Sequence, residues 1–321
     1  MPKPKLIAIV GATATGKTDL AAELALRLNT EIISGDSMLI YKGFDIGTAK
    51  PTEKERRGVV HHLIDIKEPA EEYTVADFQK NAQEIIEKLN AAGKIPILAG
   101  GTGLYVKALL ENYRFGAAGK DENYRAYLNK IYAAKGRDGI EKLLREKDAH
   151  SALRLTGGDV RRMMRALEAI YGGGSVAREN DFNERGELFY DTFAAGLFME
   201  RGKLYEKINR RVDKMLAAGL IEETNGLLAS GVGRNSSAMR AIGYRETAAF
   251  LAGEISRHEL AEEIKKSTRH FAKRQITWYK KMPYIHWFNV EGKNTAELAD
   301  EVLAAAGNFC GEKYERQNSR L

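Results

Sequence analysis

The stretch Leu6-Ile7-Ala8-Ile9-Val10-Gly11-Ala12-Thr13-Ala14-Thr15-Gly16-Lys17-Thr18 decides the fold of the N-terminal part of this protein. Its first five residues form a short apolar run that is typical of a buried strand. The next eight fit the spacing of a glycine, four residues, a glycine, a lysine and a hydroxyl residue. Apolar residues at helical spacing follow, at Leu20, Leu24 and Leu28. The order strand, glycine loop and helix predicts a phosphate-binding P-loop.

The residues of this loop have distinct expected tasks. Gly11 and Gly16 allow backbone N–H groups to turn inward around phosphate oxygens, and the start of the helix adds its partial positive charge. Lys17 would reach the outer phosphates and Thr18 would hold Mg²⁺. A glycine turn that only precedes a structural helix is the alternative, which the strand and helix on either side disfavour. We expect diphosphate or nucleotide binding by Gly11, Ala12, Thr13, Ala14, Thr15, Gly16, Lys17 and Thr18.

Further strands and helices alternate along the chain. Glu31–Ser34, Ile95–Leu98 and Tyr190–Met199 are strand candidates, and helical patterns lie between them. This alternation predicts an α/β fold, with a P-loop NTPase-like parallel sheet flanked by helices. Residues 113–188 have helical spacing and no strand run. We therefore expect a core of residues 1–112 and 189–321, which includes C-terminal helices, and an all-helical insertion domain at 113–188.

Two more polar features follow predicted strands. Gly100-Gly101-Thr102-Gly103 lies where open α/β sheets place their ligands, so its N–H groups and the Thr102 hydroxyl could meet the same phosphates. A tight turn made for packing is the alternative. Asp36 follows the second strand and could be an Mg²⁺ ligand, a general base or a cap on the next turn. The apolar and aromatic residues Met38–Tyr41 beside it suit a site for a phosphate head and a greasy or flat group.

Composition excludes several classes of protein. The 321 residues contain 50 Lys+Arg and 44 Asp+Glu, a net charge of +6, and 44% hydrophobic residues, which is enough for a packed core. One cysteine cannot form an intramolecular disulfide or a thiolate zinc site. No apolar run is long enough for a signal peptide or a membrane span, so we expect a cytoplasmic protein without membrane association.

The cations are concentrated in three places. Residues Ile264–Lys281 contain seven Lys or Arg with Phe271, Trp278 and Tyr279 among them, and no acid. Arg161, Arg162 and Arg165 lie in the predicted insertion, and Arg240 and Arg245 flank a glycine and a tyrosine. Each cluster alone is typical of a solvated surface. Together, in a protein that handles phosphate, they favour a polyanionic partner such as RNA with unstacked bases.

At this level of detail the sequence resembles the bacterial tRNA dimethylallyltransferases, also called tRNA isopentenyltransferases. The matching motifs occur in the family's order from residue 6 to about residue 290. They are Gly11–Thr18, Ile33–Ser37, Tyr41–Pro51, His61–Ile66, Ala76–Phe78, Gly100–Leu110, Arg162–Glu168, Ala241–Arg245 and Ala272–Trp278.

The resemblance implies transfer of a dimethylallyl group from dimethylallyl diphosphate to N6 of adenosine 37, beside the anticodon of tRNA, with release of diphosphate. It implies Asp36 as general base, Lys17, Thr102 and Arg201 at the diphosphate, and Mg²⁺ bridging it. The implied tRNA-binding residues are Asp36, Ser37, Met38, Leu39, Thr102, Arg125, Arg161, Arg162, Arg165, Arg240, Gly243, Tyr244, Arg245, Lys273, Arg274, Gln275, Trp278 and Lys280. We expect a monomer whose partners are the tRNA anticodon stem-loop and dimethylallyl diphosphate.

Two positions and one stretch depart from the family pattern. The stretch is Gly172-Gly173-Gly174-Ser175, where the family usually has a Gly-Lys turn, and we carry over no role to it. Ala12 stands where the family usually has proline, and because the backbone amides remain we expect little effect. Lys207 replaces a frequent arginine, which keeps the charge but not a bidentate phosphate contact. Two alternative functions remain open, namely a P-loop kinase that uses ATP and a non-catalytic RNA-binding protein that uses a nucleotide as a switch.

Overall fold

The computed structural model describes residues 2–113, 115, 121–155, 157, 159–173 and 188–310. Among them is a sheet of six strands in the order β3-β2-β4-β1-β5-β6, and every neighbouring pair is parallel. The predicted α/β fold with a parallel sheet is confirmed. The strands are β1 (Lys5–Gly11), β2 (Ile32–Ser34), β3 (His61–His62), β4 (Ile97–Ala99), β5 (Asp191–Phe198) and β6 (Ile285–Asn289).

Strand β1 lies at the centre of the sheet and is buried on both faces. It pairs with β4 through Ile7 and Ile97 and with β5 through Ile7 and Phe193. Side chains alternate along a strand, so Ile7 and Ile9 belong to one apolar core while Leu6, Ala8 and Val10 belong to the core on the opposite face. Helices cover both faces, which explains why this strand reads as an uninterrupted apolar run.

The helices begin and end close to the positions that apolar spacing predicts. α1, for example, contains Leu20 and Leu24 of the predicted pattern and ends one residue before Leu28. Those of the core are α1 (Lys17–Arg27), α2 (Glu53–Arg56), α3 (Val75–Ala91), α4 (Gly103–Leu110), α8 (Arg201–Ala217), α9 (Leu220–Ala229), α10 (Tyr244–Leu251), α11 (Arg257–Tyr279) and α12 (Thr295–Ala306). Short 3₁₀ turns occur at Ala238–Arg240 and Gly307–Cys310. The two-residue strand β3 has too short a pattern to be read from sequence.

The chain separates into two compact units, Met1–Leu110 with Leu188–Leu321 and Glu111–Glu187. The second unit contains α5 (Glu122–Lys147), α6 (Ala149–Leu155) and α7 (Val160–Tyr171). These helices share a small core that includes Leu128, Leu144 and Met163. Sequence analysis placed the insertion at 113–188. Residues 174–187 of that prediction, and the C-terminal residues 311–321, lie outside the described residues.

The carboxyl edge of the sheet gathers the loops that carry the motifs. Since β1, β2, β4 and β5 are parallel, the segments after Gly11, Ser34, Ala99 and Phe198 all leave at this edge. Strand β4 sits between β1 and β2, which brings the second glycine loop next to both the P-loop and Asp36. The fold therefore places three chemically informative segments side by side. In the described part of the chain, no helix is long and apolar enough to cross a membrane.

We expect Gly100→Ala to destabilise the core unit by about 3 kcal/mol, as overpacking a tight backbone contact does. A Cβ at Gly100 would lie 2.3 Å from the carbonyl carbon of Gly35, where neither backbone can move away. The matched control is Gly226→Ala in α9, where a Cβ meets nothing within 4 Å. It should stabilise the protein by about 0.8 kcal/mol through helix propensity.

Urea unfolding followed by tryptophan fluorescence measures both changes, because Trp278 and Trp287 are the protein's two tryptophans and both lie in the core unit. Equal unfolding midpoints for the two variants would contradict the close approach of Gly35 and Gly100.

Candidate active site

A large cavity opens at the carboxyl edge of the sheet, with a volume of about 1330 Å³. Ordinary small-ligand pockets have volumes of about 300–1,000 Å³, so this one exceeds the needs of one small molecule. Its walls come from the P-loop, residues 36–39, residues 45–52, the second glycine loop and helices α8 and α11. The space suits a phosphate ester together with a second, flat group.

The P-loop forms the phosphate-facing end of this cavity. Gly11 has φ 143°, and a Cβ there would lie 2.6 Å from the carbonyl oxygen of Leu197, so only glycine fits. Gly16 precedes the first residue of helix α1 and provides no side-chain cap, which leaves the N–H groups of the first turn available to an anion. The Nζ of Lys17 donates to the carbonyl oxygen of Ala12 at 2.6 Å. The loop thus presents N–H donors and one amine to the same space.

Hydrogen bonds join the second glycine loop to the residues on either side of Asp36. The N–H of Thr102 donates to the carbonyl oxygen of Gly35 at 3.2 Å, and the Thr102 hydroxyl accepts from the N–H of Ser37 at 2.9 Å. Asp36 Oδ1 accepts a hydrogen bond from the N–H of Met38 at 2.9 Å. The carboxylate therefore caps the following turn, which is one of the three roles that the sequence left open for it. Its Oδ2 has no hydrogen-bond partner among the described residues and lies on the Gly101 side. One carboxylate therefore caps a turn and still has an oxygen for another contact.

The charges around the P-loop are unusual for a protein interior. Burial and the nearby Arg211 guanidinium lower the pKa of Lys17 to about 7, and the Asp36 carboxylate only partly counters this. Burial also lowers the pKa of Arg211. On the far side of the loop, burial raises the pKa of Asp19, with a further contribution from Glu55. The carboxylates of Asp36, Glu55 and Asp19 act against the shift at Arg211, but burial outweighs them. A bound anion beside Lys17 and Arg211 would replace the solvation that burial removes, so the site favours one.

The family resemblance placed Arg201 at the diphosphate, and the sequence patterns gave no role to Arg211. Arg201 is exposed, donates to the Tyr205 hydroxyl at 3.0 Å and lies over that ring, and it does not line the cavity. The cavity is lined instead by Lys207, Arg210 and Arg211, farther along α8. A signal was available, because basic residues at i, i+3 and i+4 on a helix that follows a central strand mark one face of that helix.

Only some of the cations in the run Ile264–Lys281, most of which lies in α11, are exposed and lack an acidic partner in the part of the chain that the structure describes. Lys265 pairs with Asp213 and Glu262, and Lys266 pairs with Glu263. Arg269 donates to Asn209 of α8 at 2.8 Å. These acids lie outside the run Ile264–Lys281, which is why the sequence alone overestimated how many of its cations are unpaired. Lys273, Arg274 and Lys280 are exposed, and Arg274 also lies 5.8 Å from the centre of the Phe271 ring.

Other predicted tRNA contacts take different positions. Tyr244 is fully buried, donates to Glu223 at 2.5 Å and accepts the N–H of Gly47 at 3.0 Å. Gln275 is also buried and bonds the two glycine loops. Their side chains therefore hold the cavity wall and do not face solvent, and Gly243 is buried with them. The predicted tRNA contacts that line the cavity are Asp36, Ser37, Met38, Leu39, Thr102, Arg240, Arg245, Arg274, Gln275 and Trp278.

The arginines of the helical unit are described within that unit alone. Arg161, Arg162 and Arg165 are exposed on α7. Arg125 of α5 makes a bidentate pair with Glu168 of α7, at 2.7 and 2.9 Å. Arg125 therefore has a structural partner, whereas the three α7 arginines form an exposed basic face.

The oxygen ligands in this cavity could hold Mg²⁺ only together with a bound phosphate group. No group of three or more His, Cys, Asp or Glu side chains that could hold a metal exists in the described ranges. Thr18 lies in the cavity wall beside the carboxylates of Asp19 and Glu55. Mg²⁺ commonly binds through one or two protein oxygens, waters and substrate phosphates, so this sparse oxygen set is compatible with it.

Comparison with known proteins agrees with this arrangement. The family model described as IPP transferase matches residues 39–282. A curated tRNA dimethylallyltransferase of Geobacillus thermodenitrificans is 44% identical and covers 89% of this chain and 90% of its own. That of Geobacillus kaustophilus is also 44% identical, over 95% and 97%.

Solved structures give the same result. The tRNA isopentenylpyrophosphate transferase of Bacillus halodurans has a TM-score of 0.72 and 39% identity, and the match covers 99% of this chain and 100% of that one. A eukaryotic dimethylallyltransferase, described as acting on tRNA, has a TM-score of 0.82 and 28% identity, covering 95% and 79%.

The low pKa of Lys17 predicts that diphosphate binding takes up protons. Above about pH 7 the Lys17 amine is neutral in the free protein, and an anion beside it raises its pKa, so binding must protonate it. Diphosphate affinity should therefore fall as pH rises from 6 to 8.5. Calorimetry at pH 8 in buffers of different ionisation heat measures the protons taken up.

Lys17→Arg is the matched control, because its guanidinium stays charged throughout this range. It should take up fewer protons than the native protein, and the difference isolates Lys17 from the titration of diphosphate itself. The same proton uptake in both proteins would contradict a neutral Lys17.

Proposed function

The chain belongs to the IPP transferase family, and from this membership we propose that it transfers a dimethylallyl group from dimethylallyl diphosphate to tRNA, releasing diphosphate. We place the acceptor at N6 of adenosine 37, next to the anticodon, and the protein in the cytoplasm as a monomer. The observation that carries the proposal is one cavity in which two phosphate-facing glycine loops, a carboxylate and apolar walls meet.

The size of the cavity supports two substrates. A phosphate head at the P-loop occupies one end, and the remaining volume accommodates a nucleobase. An exocyclic amine inside a helix is poorly placed for attack, so the base must leave the stack before it reacts. Arg240, Arg274 and Trp278 line the wall and provide cationic and aromatic contacts of the kind that bind an unstacked nucleotide.

Asp36 is placed to accept the proton of the attacking amine. The N6 nitrogen forms a bond to C1 of the dimethylallyl group while the bond between C1 and the diphosphate oxygen breaks. The proton that N6 loses goes to Oδ2 of Asp36, the oxygen that Met38 does not occupy. The bonds between Thr102 and residues 35 and 37 keep this carboxylate beside the second glycine loop.

Departure of diphosphate is assisted by positive charge at the opposite end. The P-loop N–H groups, Lys17 and Arg211 surround the position where negative charge grows. Mg²⁺, when bound with Thr18 and the phosphates, supplies further neutralisation of that charge. Met38, Leu39 and Phe271 line the cavity and exclude water that would compete with the amine.

A mass assay tests the proposal. The protein is incubated with unmodified tRNA, dimethylallyl diphosphate and Mg²⁺ but no ATP, and the anticodon-loop fragment is weighed after nuclease digestion. We expect a mass gain equal to one dimethylallyl group, located on the adenosine at position 37. A gain that depends on ATP, or one equal to a phosphate, would favour a kinase instead.

Asp36→Asn tests the role of Asp36, because the amide keeps the shape of the side chain but cannot act as a base. Turnover should fall by about 10²–10⁴-fold, the usual contribution of a positioned base. Its tRNA affinity should stay near that of the native protein. Equal loss of affinity and turnover would mean that Asp36 holds RNA and is not the base.

Removal of exposed cations should change how tRNA binding responds to salt. Each phosphate contact contributes about 0.7–0.9 to the slope of log affinity against log salt concentration, so Lys273→Ala with Lys280→Ala should reduce this slope by about 1.5. Filter binding at several salt concentrations measures it. The matched control is Lys265→Ala with Lys266→Ala, whose amines already pair with acids. It should change the slope much less. Equal slopes for the two variants would contradict the distinction between the paired and the exposed lysines of this segment.

A further inference from the structure

Gln275 differs from its neighbours on α11. Lys273 and Arg274 are exposed, whereas the side chain of Gln275 is only 4% exposed. Its Oε1 accepts the N–H of Thr13 in the P-loop at 2.8 Å. Its Nε2 donates to the carbonyl oxygen of Gly101 in the second glycine loop at 2.8 Å. One carboxamide therefore links both phosphate loops to one helix.

The orientation of this carboxamide follows from its partners. A backbone N–H can only donate and a carbonyl oxygen can only accept, so a single orientation of the amide satisfies both. The contact is also tight, since a Cβ at Gly101 would lie 2.4 Å from Nε2. The same hypothetical Cβ would lie 3.9 Å from Oδ2 of Asp36. The link therefore passes directly beside the carboxylate.

Neighbouring residues of α11 support the second loop alone. A Cβ at Gly103 would lie 2.3 Å from the Trp278 ring, and the Tyr279 hydroxyl lies 3.4 Å from the carbonyl oxygen of Gly100. These residues follow Gln275 at i+3 and i+4, on the same face of the helix. Gln275 adds what they do not, a hydrogen bond to the P-loop.

We propose that Gln275 is a positioning residue that sets the distance between the two phosphate loops, so that it controls diphosphate binding and turnover and not RNA affinity. The proposal rests on the function proposed above and departs from the RNA contact that the family resemblance implies at this position. An RNA group that took the carboxamide would leave the buried carbonyl of Gly101 or the half-buried N–H of Thr13 without this partner, which is unfavourable. The exposed Arg274, one residue earlier, is free of that constraint.

Two substitutions separate these roles. Gln275→Glu keeps the acceptor for Thr13 but turns a carboxylate oxygen toward the Gly101 carbonyl and the phosphate site. Gln275→Met has similar length and forms neither hydrogen bond. Arg274→Gln, on the exposed face, is the matched comparison. Each variant is measured for binding of inorganic diphosphate with Mg²⁺ by calorimetry, for binding of unmodified tRNA by filter assay, and for its melting temperature.

We expect the Kd for diphosphate to rise roughly tenfold or more in Gln275→Glu and roughly three- to tenfold in Gln275→Met, in keeping with the loss of one or two hydrogen bonds, of which the one to Gly101 is buried. Their Kd for tRNA should change less than twofold. Arg274→Gln should show the opposite pattern. In turnover, Gln275→Met should raise the KM for dimethylallyl diphosphate and lower kcat while the KM for tRNA stays the same.

Weakened tRNA binding with unchanged diphosphate binding would overturn the proposal, and so would a lower melting temperature with both affinities unchanged. If Gln275→Glu does not fold, the uncharged Gln275→Met decides. The direct binding of diphosphate also keeps this test separate from the function. A native protein that binds diphosphate without modifying tRNA refutes the proposed reaction, yet the Gln275 variants still answer the question about the loops.

Discussion

The site depends on a close approach between two backbones, at Gly35 and Gly100. They approach so closely that a Cβ on Gly100 has no room. The N–H of Thr102 donates to Gly35, and the Thr102 hydroxyl accepts from Ser37. Because Asp36 lies between these two bonded residues, its carboxylate is held against the second glycine loop. The parallel order of β2, β4 and β1 makes this approach possible, since adjacent strands release their loops at one edge.

The electrostatics of the cavity complement that geometry. Lys17 and Arg211 crowd one end, and burial lowers the pKa of both. Asp36 raises the pKa of both groups, and Glu55 and Asp19 raise that of Arg211, but burial outweighs these carboxylates. An anionic ligand is therefore the group that relieves the repulsion, and a diphosphate carries the charge to do so. The site favours a charged substrate at one end while its apolar walls exclude water at the other.

Helix α11 connects the two kinds of recognition. Its exposed face carries Lys273 and Arg274, while its buried face carries Gln275 and Tyr279. The first face has the charge that attracts a polyanion, and the second bonds the loops that surround the phosphates. In the proposed reaction, one helix would thus relate the position of a bound RNA to that of the leaving group, which matters because the nucleophile and the leaving group must align.

Several features of the fold and the site were predictable from sequence. The P-loop, the second glycine loop, the central strands and Asp36 at the sheet edge all come from short contiguous patterns, because strand and helix periodicity and glycine spacing are local properties. Local pattern was insufficient for β3, whose two residues give no period.

Tertiary structure decided the partners. It placed Arg211 at the cavity and left Arg201 outside it, brought Asp213 to Lys265, and buried the side chains of Tyr244 and Gln275. Each outcome depends on helices packing across tens or hundreds of residues. The sequence by itself therefore determined which chemistry the protein carries, and the packing of α8 and α11 against the sheet decided which side chains deliver it, because burial and ion pairing depend on neighbours that are distant along the chain.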